Sequence, residues 1–268
     1  VVRHFQDPDV PAVAGSLRVR NARASLTTAM QALEYLLSIQ MAKIGLSEWN
    51  VVNNVSGAFG AFRRSFLEKI GGWDTHTAED LDLTLRIKNY FGRRPLRIPF
   101  EPCAIGHTDA PVTFRQFLMQ RLRWDGDLFF LYVRKHRHSF TPRLLGWPNF
   151  LVVLVSGFFF QLVLPFIILG YFIVGLCSLT LSTFLVLAWL VYLVYLANTL
   201  LAYVVAVCMV SERPRQDLWL CWVVPLFPLF MFVMRCWSAV AILNEMIRRG
   251  HEETSMAPWW VLRKAKRF

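Results

Sequence analysis

The segment Thr77–Leu83, TAEDLDL, sets three carboxylates, Glu79, Asp80 and Asp82, ahead of an apolar run. Clustered carboxylates can cradle a divalent cation, supply a general base with helpers, or form the acidic first turn of a helix. Locally the last reading leads: Thr77 is placed as an N-cap with Asp80 three residues on, and Leu81–Tyr90 continues as helix. About forty residues later the chain reads QRLRW, Gln120 to Trp124. At 100° per residue Gln120, Arg123, Trp124 and Asp127 share one arc of a helix predicted from Val112 to about Arg134. The opposite arc carries Phe114, Leu118, Leu122, Phe129 and Val133. Two placements fit: a helix lying on a membrane with that apolar arc in lipid, or an amphipathic helix packed on a protein core.

The elements that must hold these residues alternate. Val10–Val19 has a strand pattern interrupted by Gly15, and Ala24–Ile44 reads as a helix with Leu26, Met30, Leu33, Leu37 and Met41 at spacings of three and four. Asn53–Phe62 is a small-residue segment whose Gly57 and Gly60 serve either close backbone approach or a turn. Arg63 and Arg64 read as surface or headgroup-facing charge before a short helix, Ser65–Ile70, stopped by Gly71 and Gly72. A further strand begins at Arg97–Ile98. Strands alternating with helices predict an α/β layer architecture over residues 1–143.

Beyond Arg143 the composition changes. No charged side chain occurs from Leu144 to Val210, nor from Leu218 to Met234, and hydrocarbon-crossing helices need about 20 such residues. The 55% hydrophobic content of the whole chain excludes an ordinary soluble domain. Residues 144–245 therefore read as three or four spans, and 246–268 as a basic tail that the positive-inside rule places with the soluble part. The net charge of +11 is scattered, with no stripe or motif for nucleic acid; an anionic leaflet or a phosphate-bearing substrate accounts for it. The five cysteines form no CxxC or Cys/His cluster, so neither zinc nor a disulfide framework is expected. The chain starts at Val1 with no signal-peptide pattern, and reads as the C-terminal portion of a longer protein.

GAFGAFRR (Gly57–Arg64), GGWD (Gly71–Asp74), AED (Ala78–Asp80) and QRLRW, followed by spans, together resemble the family 2 processive glycosyltransferases. These are the membrane synthases of cellulose, chitin, hyaluronan and poly-N-acetylglucosamine, and the wording is most similar to bacterial poly-β-1,6-N-acetylglucosamine synthases. The resemblance implies a partial Rossmann-like GT-A domain, its acceptor-side half, joined to helices in the bacterial inner membrane with the catalytic part cytoplasmic. It implies inverting transfer from a UDP-sugar, UDP-N-acetylglucosamine by the wording, to a growing β-linked polysaccharide that is passed across the bilayer, with accessory membrane subunits as further partners. Asp80 would be the general base; Gln120, Arg123 and Trp124 would contact the acceptor and the departing diphosphate. Glu79, Gly57 and Asp127 would have supporting roles, with Asp82 supporting or solvated.

A Mg²⁺ or Mn²⁺ ion is implied as well, with ligands upstream of Val1. Asp7-Pro8-Asp9 spells DxD, but no apolar strand precedes it, and His107 alone makes no metal site. Lacking the donor and metal half, these 268 residues are expected not to turn over by themselves. Within the class, hyaluronan-, chitin- or cellulose-type synthases and lipid-linked sugar transferases are the alternatives. A membrane transporter or scaffold is the alternative from another class, disfavoured because Leu144–Val210 offers no ionisable residue to couple transport.

Overall fold

A computed structural model describes residues 1–74 and 77–249. Three strands form one mixed sheet in the order β2–β1–β3: β1 (Ala12–Val19), β2 (Gly60–Phe62) and β3 (Phe100–Thr108). β1 is central, antiparallel to β2 and parallel to β3, and all eight of its residues are buried. A strand covered on both faces carries a near-continuous apolar run, which is why it could be read from VPAVAGSLRV. Gly15 does not interrupt it; the register against β3 slips between Gly15 and Ser16 instead, a bulge. The α/β alternation is thus present on a small scale in a mostly helical chain.

The helix expected over Ala24–Ile44 is continuous but longer, as α1 (Leu26–Tyr35), a π-helical stretch Leu36–Met41, and α2 (Ala42–Glu48). Its start is a capping box: Ser25 Oγ accepts the Thr28 N–H at 3.2 Å, and Thr28 Oγ1 accepts the Ser25 N–H at 2.9 Å. α3 (Arg64–Lys69) stops where Gly71 and Gly72 adopt φ of +84° and +65°. α4 (Glu79–Lys88) departs from expectation at its start. Its N-cap is Ala78, held at φ 42°, with no side-chain cap, so Thr77 lies one residue too early for the capping role given to it. α5 (Phe114–Phe129) is capped by Thr113 and prolonged by a π-helical turn, Phe130–Lys135.

Arg63 is likewise not free surface charge. Its guanidinium donates to the carbonyls of Val10, Phe5 and Asp7, clamping the N-terminal segment against the sheet. Asp7 accepts the Asp9 N–H at 2.9 Å, a local turn in the DPD stretch.

Among the described residues three helices are long and apolar enough to cross a membrane: Trp147–Ser178, Leu181–Val210 and Pro214–Arg248. The first two are joined by Leu179 and Thr180 alone and expose apolar side chains along most of their length. The third differs, because both of its ends touch residues before Arg143. At its start, buried Arg18 of β1 donates to Asp217 at 2.7 Å and to Glu212 at 2.6 Å. Towards its end, Ile242 packs in one cluster with Leu81 and Leu85 of α4, and Glu245 pairs with Arg134. In between, Phe232 meets Phe172, and the Pro225 carbonyl accepts from Tyr192, so the middle leans on the other two helices. Leu218–Leu226 is 3-10 helix with Pro225 inside it, where a missing N–H favours a bend.

Contacts of both ends with residues before Arg143 predict that this third helix stays on one side of a bilayer. In a background without the five native cysteines, Gln6→Cys and Arg249→Cys are expected to react with an impermeant maleimide from one side, and Leu179→Cys from the other. Arg249→Cys labelling together with Leu179→Cys would overturn this arrangement.

Candidate active site

Successive residues of a helix point 100° apart, so Asp80 and Asp82 face nearly opposite ways from the first turn of α4. Asp80 turns toward the segment Asn53–Gly57. Its Oδ2 accepts the Gly57 N–H at 3.0 Å and Asn54 Nδ2 at 3.2 Å, and its Oδ1 accepts the Leu81 N–H at 2.7 Å. Thr84, one turn further, donates to the Asp80 carbonyl and accepts the Val55 N–H, tying that segment to α4 a second time. Gly57 lies in a turn that passes close to α4: a Cβ there would lie 3.2 Å from Glu79 Oε1 and 3.4 Å from Asp80 Cβ. Lys43 of α2, buried, donates to the Asn54 carbonyl at 2.9 Å from behind the same segment.

Asp82 is fully buried and meets His136 Nε2 at 2.8 Å, Lys135 Nζ at 2.8 Å and Arg86 Nε at 2.9 Å. Burial would push its carboxyl up, but the His136 hydrogen bond and the charges of Lys135 and Arg86 hold it down at about 2. It is a structural ion cluster joining α4 to the turn after α5, neither solvated nor part of a metal cradle.

α5 packs on protein along the face of Phe117 and Asp125, while Phe114 of the predicted apolar arc is exposed. The third apolar helix lies along it: Phe230 stacks on Phe117, Trp237 Nε1 donates to the Leu118 carbonyl, and Ser238 donates to Asp125. Its covered face therefore meets protein. The predicted polar arc divides: Asp127 is buried, Gln120 is half-buried, and Arg123 and Trp124 are exposed. The two arginines of QRLRW also divide. Arg121 pairs with Glu34 of α1 and lies over the Trp124 ring, 4.9 Å from its centroid. Arg123 makes no hydrogen bond or ion pair with any described residue, and its guanidinium is open to a ligand. Neither Gln120, Arg123 nor Trp124 bonds to Asp80, but α4 and the end of α5 share one core through Leu81, Leu85, Leu128 and Phe129. His107 stands exposed on β3.

A sequence profile of the family described as Glycosyl transferase family group 2 matches residues 1–260. The chain belongs to that family. Among curated glycosyltransferases it is 36% identical over 121 residues to a probable glycosyltransferase, YdaM, of Bacillus subtilis strain 168, a match covering 45% of this chain and 28% of that protein. It is 33% identical over 126 residues to the poly-beta-1,6-N-acetyl-D-glucosamine synthase of Staphylococcus aureus strain COL, covering 46% of this chain and 29% of the synthase. The matched stretch thus covers less than a third of the length of each of these two glycosyltransferases.

For a glycosyltransferase the question of a divalent ion arises. Among the described residues no group of three or more His, Cys, Asp or Glu could hold one. Asp80 already accepts from three N–H donors, which leaves fewer of its lone pairs free for a cation. No step below passes through a metal. Sequence reasoning also missed Asn54, Lys43, Arg121, Glu34, Lys135 and His136. The adjacency of Arg121 to Arg123 was visible, but only the contact with Glu34, 87 positions away, separates a held arginine from an open one.

Proposed function

We propose that this chain is the acceptor-side half of a GT-A domain with its membrane helices, in an inverting processive glycosyltransferase. The donor is a UDP-sugar, UDP-N-acetylglucosamine by its likeness to the staphylococcal synthase, and the acceptor is a growing β-linked polysaccharide passed across the bilayer. The observation that carries the reading is a rigidly held, half-buried carboxylate, Asp80, on a helix that shares one core with α5, which bears the exposed Arg123.

An alcohol is a poor nucleophile, so its proton must leave as it attacks. The acceptor hydroxyl oxygen bonds to the sugar's anomeric carbon from the side opposite the diphosphate, its proton passes to Asp80, and the carbon–oxygen bond to the diphosphate breaks. UDP departs with the bond's electron pair, and configuration at the anomeric carbon inverts. Arg123 answers the developing charge on the diphosphate with parallel charge-assisted hydrogen bonds, for which a planar fork is better suited than an ammonium. Trp124, with Arg121 over its ring, offers a flat face for an acceptor sugar. The exposed apolar helices support a multi-pass protein of the bacterial inner membrane with this site on the cytoplasmic side.

Arg123→Lys tests the assignment beside Arg121→Lys. In membranes supplied with UDP-[³H]N-acetylglucosamine, Arg123→Lys should lower polymer formation about 10- to 100-fold, the worth of a charged hydrogen-bond pair. Arg121→Lys should act mainly on stability, through Glu34. Equal activity of Arg123→Lys and wild type would remove Arg123 from the diphosphate site.

A further inference from the structure

Lys43 is a buried cation that the reaction scheme leaves unused. It lies in the first turn of α2, 6% exposed, and its only hydrogen bond among the described residues is the one donated to the Asn54 carbonyl. The Asn54 side chain in turn donates to Asp80 Oδ2, and its Oδ1 lies 3.5 Å from Thr84 Oγ1. One residue therefore connects the ammonium to the carboxylate, and Lys43 feels the charge of Asp80 as its one attractive partner. Among the ionisable groups around it, Glu79 lies against Gly57, and Asp82 faces away into Lys135, His136 and Arg86. Glu101 of β3, the strand beside α2, is taken up by Arg3 and His4.

We propose that Lys43 is a positioning residue for Asp80: its buried charge stands behind the carboxylate across Asn54, and its bond to Asn54 fixes the segment that aims it. A cation with one hydrogen bond in a buried site is expensive unless an anion compensates it, and Asp80 is that anion. Burial lowers Lys43 to about 8, with Asp80 opposing the shift, so the lysine is charged at neutral pH and supports Asp80 there. The proposal rests on Asp80 being the general base.

The test is the pH dependence of polymer formation in membranes containing the full-length enzyme, with UDP-N-acetylglucosamine, UDP-glucose and UDP-glucuronic acid each tried as donor. Removing a cation beside a carboxylate raises its pKa, so Lys43→Met should move the acidic limb of the rate profile up by about one unit. Its kcat should fall about ten-fold with little change in KM, and Lys43→Arg should restore both. Lys43→Gln keeps a donor for the Asn54 carbonyl without the charge, and serves also where Lys43→Met fails to accumulate. Its limb should move as well, and an unmoved limb in Lys43→Gln overturns the proposal. Asp80→Asn run beside them separates the two readings. If Asp80→Asn is inactive and the lysine variants keep the wild-type limb, only the role of Lys43 fails; if Asp80→Asn is active, the base assignment fails first.

Discussion

Asp80→Asn in the full-length enzyme should lower sugar transfer by about 10²- to 10⁴-fold, the range lost with a general base. The substitution removes the basic oxygen pair but little volume. One amide oxygen can still accept from Gly57 and Asn54, the two donors that share Oδ2. The new amide group then faces the Leu81 N–H, a donor against a donor, which costs about 1–3 kcal/mol. That cost is tolerable for the fold, so membrane insertion and the yield of folded protein should survive while polymer formation does not. Radiolabelled sugar incorporation, normalised to protein in the membrane, measures the first, and limited proteolysis the second. Transfer at the wild-type rate by Asp80→Asn would end the reading of Asp80 as the base.

The companion carboxylate should behave in the opposite sense. Asp82→Ala leaves Lys135 and Arg86 without their buried counter-charge, and breaking such a cluster costs about 3–5 kcal/mol. Its loss should be read as a fall in unfolding temperature in detergent, with residual activity tracking the folded fraction. The cluster also carries a pH signature. The carboxyl sits at about 2 in the folded chain against 3.8 when unfolded, a difference of roughly 2–3 kcal/mol. A depressed pKa means that this stabilisation is complete above about pH 4 and drains away as the pH falls through about 2. Wild type should therefore lose more stability than Asp82→Ala on acidification over that interval. Parallel curves for the two proteins would show that Asp82 is not held by its cationic neighbours.

How far the sequence reaches can be judged from these two carboxylates. Their helix was visible, and so was the opposite facing of positions two apart. Which of them is buried was not, because Lys135 and His136 lie more than fifty positions away in a turn with no pattern of its own. The Thr77 cap failed for a local reason: Ala78 takes a left-handed conformation rare for a residue with a Cβ, and the helix starts after it. The long helices were legible because burial and length both show in composition, and β1 because it is covered on both faces. β2, three residues long, carries too little pattern to be found. Arg63 and Arg18 look alike in the sequence as scattered basic residues, yet one clamps three carbonyls and the other meets carboxylates 194 and 199 positions away.

The return of the third apolar helix to the soluble part bears on how the protein enters a bilayer. If only Trp147–Ser178 and Leu181–Val210 pass through, they do so as a hairpin with Leu179 and Thr180 at its tip. Neither arm nor tip contains an Asp, Glu, Lys, Arg or His. An arginine or lysine at mid-bilayer costs about 2.5–3.5 kcal/mol during insertion, and here none has to make the passage. Arg213, Arg215, Arg235 and Arg248 all stay with the leaflet they start on. Insertion of this chain is then a transfer of hydrocarbon alone, and every charge it carries remains available to the chemistry on one side.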